Sequence, residues 1–157
     1  MQFKKFVLIA LFMVPATGFS GGWDLRVGVS QFPDQDALLS AELTRVIDLA
    51  LGMELGLGGV LRTNFASDYG LGAIARFRYW FIENIALGGV GEVGYMIRSD
   101  DTDFGYTFLG PLLVVRLGPL CAQWEPGWIF YHSANFANAN RNSSDFVPLR
   151  FVFGLSF

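Results

Sequence analysis

The sequence predicts an all-β protein, an eight-stranded antiparallel β-barrel of the transmembrane, outer-membrane type. Three observations carry that expectation. The 157-residue chain is 52% hydrophobic, yet beyond its first twenty positions no apolar run approaches the roughly 20 residues a membrane helix requires. Apolar and polar residues instead alternate with period two over long segments, as strands with one apolar face do. Nineteen glycines and 16% aromatic residues suit a narrow, crowded interior and an aromatic outer wall.

The first element is not part of the barrel. Lys4 and Lys5 precede an apolar run from Phe6 to Val14, Pro15 ends it, and the small residues Gly18 and Ser20 follow. A charged n-region, a short apolar core and small residues at the exit make 1–20 a secretory signal peptide, cleaved after Ser20. That leaves 21–157 as one barrel domain.

The strands follow in order. In the segment 23–32, Trp23, Leu25, Val27 and Val29 share one face, opposite Asp24, Arg26, Gly28 and Ser30. From Leu39 to Leu61 the alternation runs for about twice the 9–11 residues of a membrane strand. Two strands, 37–44 and 48–62, are therefore expected, with a tight turn near Thr44–Asp48. The segment 70–82 sets Leu71, Ala73, Phe77, Tyr79 and Phe81 against Gly72, Arg76 and Arg78, and 85–98 sets Ile85, Leu87, Val93, Tyr95 and Ile97 against Glu92, Gly94 and Arg98. Strands at 105–117 and 119–132 follow. The segment 146–157 closes the chain with Val147, Leu149, Phe151, Phe153, Leu155 and Phe157 on one face.

Connections after the second, fourth and sixth strands are short, whereas those after the first, third, fifth and seventh are longer. Outer-membrane barrels carry short periplasmic turns and long external loops in this way. The final Phe157 resembles the terminal aromatic by which such proteins are recognised for assembly. A soluble barrel would point its apolar face inward. Here Glu54, Arg76, Arg78, Glu92 and Glu125 share the glycine-rich face, which fits an ion-paired interior and an apolar wall against lipid.

Several functions are excluded or disfavoured. Both lysines lie in the signal segment, and the remaining cations face 14 acids, so nucleic acid is not an expected partner. A single cysteine, Cys121, forms no internal disulfide. No nucleotide-binding, zinc or haem motif is present, so no cofactor and no metal is expected. The loop acids Asp100, Asp101 and Asp103 read as a solvated acidic loop. Side chains fill an eight-stranded barrel, which disfavours a channel.

The stretch FYHSANFANANRNSSDF, from Phe130 to Phe146, holds the single histidine, His132. Trp124, Trp128, Phe130 and His132 share one parity, so His132 is expected to project outward at the external end of its strand. With that arrangement the chain resembles the outer-membrane lipid A 3-O-deacylases, small eight-stranded barrels with a His-x-Ser-Asn motif near the C-terminus and a lipid-facing esterase site. The resemblance makes His132 the general base and Asp145 the acid that orients it. It makes Asn135 and Asn142 the oxyanion donors, and lipid A of the outer leaflet the substrate in the bacterial outer membrane. The motif's serine falls on Ala134, with Ser133 one step early. Adjacent strand residues point to opposite faces, so Ser133 would need a bulge to reach His132. Three readings follow: a relative that has lost its nucleophile, an enzyme using Ser133, or a chance likeness in an asparagine-rich loop. A non-enzymatic surface barrel serving adhesion, membrane integrity or lipid contact is the alternative function.

Overall fold

A computed structural model describes residues 21–31, 37–98, 103–132 and 144–157. The signal segment, Ser133, Ala134, Asn135, Asn142, Asp100 and Asp101 lie outside the described residues. The strands are β1 (Trp23–Ser30), β2 (Leu38–Asp48), β3 (Met53–Thr63), β4 (Tyr69–Ile82), β5 (Ile85–Ile97), β6 (Phe104–Leu117), β7 (Leu120–Trp124), β8 (Gly127–His132), β9 (Ser144–Val147) and β10 (Arg150–Ser156). All pairings are antiparallel, and β10 pairs with β1, which closes the barrel.

The ten segments make eight staves. β7 and β8 both pair with β6 in one continuous register, from Leu117 opposite Leu120 to Gly105 opposite His132. They are separated where Pro126 comes opposite Pro111, because neither proline has an N–H to give the ladder. β9 and β10 form the last stave. Their registers differ by one residue: Gly127 is opposite Val147, whereas Trp124 is opposite Phe151. Pro148 and Leu149 therefore form a β-bulge. The carbonyl that the bulge turns out accepts a hydrogen bond of 3.0 Å from the Trp124 indole Nε1.

The turn between β2 and β3 corrects the sequence expectation. It lies at Ala50–Met53, not at Thr44–Asp48, and is closed by Met53 N donating to Ala50 O at 3.0 Å. Leu51 (φ 56°) and Gly52 (φ 77°) are both left-handed, the geometry of the tight hairpin turn whose twist matches the strands. The alternation hides it. Leu49 and Leu51 continue the apolar positions of the flanking strands, and Gly52 falls on the glycine-rich face.

The inward face carries the charges. Arg76 bridges Glu125 (Nε to Oε1 2.6 Å) and Glu42 (Nη2 to Oε2 2.6 Å). Arg150 joins Glu125 at 2.9 Å and Glu92 at 2.6 Å, and Arg62 reaches Glu92 at 2.7 Å. Nearer the short turns Asp24 pairs with Arg26 and with Arg78, the latter at 2.8 Å. The expected interior positions of Glu54, Arg76, Arg78, Glu92 and Glu125 are all borne out. Glycine makes the room. A Cβ at Gly94 would lie 2.6 Å from the Tyr106 ring, whose hydroxyl donates to Glu92. Buried apolar side chains fill the rest, among them Leu38, Met96 and Phe104 toward the long loops and Ala86, Val114 and Cys121 toward the short turns. Outward positions are the reverse: Leu25, Val27, Leu71, Val93, Leu109, Phe153 and Phe157 are all exposed.

Candidate functional site on the outer wall

His132 is the last residue of β8. Its neighbours alternate as the sequence suggests: Trp128, Phe130 and His132 are exposed, while Gly127 and Ile129 are buried. The imidazole thus projects from the outside of the barrel, at the end bearing the long loops. Gly105 of β6 lies directly opposite His132, and Thr107 is one outward position further along β6, opposite Phe130. With no side chain on Gly105, the imidazole lies across it and meets the Thr107 hydroxyl. His132 Nε2 and Thr107 Oγ1 are 2.8 Å apart.

Thr107 also borders a groove of about 460 Å³ on the same wall. The backbones of four adjacent strands, β3 to β6, contribute to it. Ala73, Ala75 and Gly91 keep its floor low, and Leu57, Val93 and Leu109 rise around it. These residues all have the outward parity of their strands. The other outward positions of β5 and β6 are glycine, proline, aliphatic residues or tyrosine, so the Thr107–His132 pair is a polar spot beside an open apolar depression. The arrangement places a hydroxyl beside a basic nitrogen within the 2.6–3.2 Å at which such pairs transfer a proton.

Asp145 is placed otherwise than the strand parity led one to expect. It sits opposite Ile129, while Phe146 sits opposite Trp128. Ile129 is fully buried and Phe146 exposed, so Asp145 has the inward parity and Val147, expected outward, is buried. The cause is the bulge at Pro148–Leu149. A one-residue slip exchanges the two faces of every residue on its far side, and the outward parity that holds from Leu149 to Phe157 does not extend back to Asp145. His132 and Asp145 therefore stand on opposite faces of neighbouring strands. Trp128 and Phe146 meet instead on the outside, with ring centroids 5.1 Å apart. Of the sequence candidates, His132 and Asp145 are described; Ser133, Asn135 and Asn142 lie outside the described residues.

Thr107 was not among the sequence candidates. Its signal was a hydroxyl on an otherwise apolar face of 105–117. Only the register between β6 and β8 brings it to His132, and a single sequence does not specify that register.

The Asp103 carboxylate accepts the Arg98 backbone N–H at 2.9 Å. Among the described residues, no cluster of histidine, cysteine and carboxylate side chains is arranged to hold a metal ion. No protein-family model matches this chain, and no curated protein matches it.

Proposed function

We propose that this protein is an outer-membrane barrel that hydrolyses an acyl ester of an outer-leaflet lipid, lipid A in the first instance, at a site on its outer wall centred on His132. The observation that carries the reading is the position of His132. It is a lone imidazole on an apolar wall, hydrogen-bonded to the hydroxyl of Thr107, which itself borders an apolar groove. An imidazole there has no role in core packing. At the boundary between acyl chains and headgroups it would stand at the depth of the ester bonds.

The membrane placement rests on the distribution of side chains. Apolar residues point out, and ionised ones are paired within. Outward aromatics stand at both ends, Tyr79, Phe81 and Phe157 near the short turns and Tyr69, Tyr95, Trp128 and Phe146 near the long loops, with Phe77, Trp124, Phe151 and Phe153 between them. Such belts mark the two interfaces of a bilayer.

A second reading, a non-enzymatic barrel acting through its long loops, is favoured by one observation: Asp145 does not face His132. The test that separates the two is mass spectrometry of lipid A from a Gram-negative host expressing the wild type or His132→Ala. Hydrolysis predicts a lipid A species short of one ester-linked acyl chain, present with the wild type and absent with the variant. Identical lipid A in both, with both proteins folded in the outer membrane, would leave the non-enzymatic reading.

A further inference from the structure

The structure points to Thr107 as the nucleophile of the His132 site, attacking the carbonyl carbon of a long-chain acyl ester whose hydrocarbon lies in the adjoining groove. This rests on the hydrolase reading above and deepens it by naming the attacking atom. Three features converge on Thr107. Its Oγ1 is 2.8 Å from His132 Nε2, close enough for the imidazole to take the hydroxyl proton as the new bond forms. It is a lining residue of the apolar groove, so a chain lying there would bring its own carboxyl end toward this hydroxyl. Its partners across the two ladders are Val93 and Phe130, and its outward neighbours on β6 are Gly105, which has no side chain to cover it, and Leu109; Thr107 itself is half-buried.

The chemistry balances without a co-reactant other than water. Thr107 Oγ bonds to the ester carbonyl carbon as its proton passes to His132 Nε2. The tetrahedral adduct collapses by breaking the bond to the alcohol oxygen, which takes the proton from His132 and leaves as a free hydroxyl. Water, deprotonated by the same nitrogen, then attacks the acyl-threonine. The carboxylic acid departs and Thr107 regains its proton. Asp145, turned to the interior side, takes no part, so the pair works as a dyad. A dyad is expected to be slower than a triad, whose acid holds the histidine in its working tautomer.

The experiment uses the full-length barrel folded in detergent micelles, with the para-nitrophenyl ester of tetradecanoic acid as probe. Wild type, Thr107→Val, Thr107→Ser, Ser133→Ala, Ser144→Ala and His132→Ala are compared for nitrophenol release, each checked for folding by heat-modifiable migration. Acyl adducts are trapped by acid quench and located by peptide mass spectrometry. Thr107→Val keeps the shape and removes the hydroxyl. It is expected to lower the rate by about a hundredfold or more, Thr107→Ser to restore it, Ser144→Ala to leave it unchanged, and the acyl adduct to map to Thr107. An adduct on Ser133, with Thr107→Val at the wild-type rate, would overturn the assignment while leaving the hydrolase reading intact. A slowed Thr107→Val with no adduct on Thr107 would also overturn it, reducing Thr107 to a residue that positions His132. A wild type indistinguishable from His132→Ala would remove the hydrolase reading and this assignment together.

Discussion

Glu92 shows what a single residue does in so narrow an interior. Its two carboxylate oxygens take hydrogen bonds from Arg62 (2.7 and 3.1 Å), Arg150 (2.6 Å) and Tyr106, all of them buried. Two guanidinium groups share this charge, and Arg150 has Glu125 besides. Glu92→Gln keeps the shape and removes one of the charges that balance the buried Arg62 and Arg150, and breaking such a buried pairing costs about 3–5 kcal/mol. Equilibrium unfolding by urea in lipid vesicles should register a loss of that size. A change below about 1 kcal/mol would mean that the network is not what holds the barrel's interior together. These positions were legible in the sequence because a charge on the glycine-bearing side of an alternating segment has only the interior to occupy. Partner identity was not legible: Arg76 joins β4 to Glu42 on β2 and Glu125 beyond the end of β7, and only closure of the barrel brings those together. Thr107 was illegible because it meets His132 only diagonally, through the pairing of β6 with β8.

At the level of elements, two irregularities govern where side chains point. The β2–β3 turn places Leu51, a non-glycine residue, in the left-handed region with 87% of its surface exposed. That conformation costs an ordinary residue about 1–2 kcal/mol, whereas asparagine before glycine favours it. Leu51→Asn is accordingly expected to stabilise the barrel by about 1 kcal/mol, read as a higher urea midpoint at unchanged slope. A fall in the midpoint would show that the leucine makes a compensating contact with lipid. The bulge at Pro148–Leu149 is the second irregularity. The Trp124 indole satisfies its carbonyl, and an unsatisfied carbonyl facing hydrocarbon would be costly. Trp124→Phe keeps the ring and removes the donor, so a destabilisation of about 1–3 kcal/mol is expected in the same unfolding measurement. No loss would argue that water, not lipid, surrounds this position. Both irregularities escaped the alternation pattern, for opposite reasons. The turn preserves parity and so left no mark on it. The bulge inverts parity, but over a stretch too short, from Ser144 to Val147, to stand out beside the long apolar run that follows.

For the whole molecule, the β1–β10 pairing joins the first and last staves, and ion pairs and buried apolar side chains fill the interior. In the proposed membrane setting such a barrel should migrate faster on gel electrophoresis unboiled than boiled, and should fractionate with the outer membrane. In planar bilayers it should pass no measurable ion current. Steady conductance steps would contradict a filled interior. The barrel class and the sidedness of its walls were readable from period-two alternation, since both depend on that pattern alone. The outer-wall site was readable only at His132, because the rest of it is assembled from four other strands.

The claim on which the functional proposal depends is that the wall bearing the groove and His132 faces lipid. A nitroxide label at Val93, on the rim of the groove, tests it directly in the barrel reconstituted into phospholipid vesicles, with Cys121 first replaced by alanine. Power-saturation measurements with oxygen, which concentrates in hydrocarbon, and with a water-soluble nickel chelate report which medium surrounds the label. The expected result is strong relaxation by oxygen and little by the chelate. Relaxation chiefly by the chelate would place the groove in water and contradict a lipid-ester site on this wall.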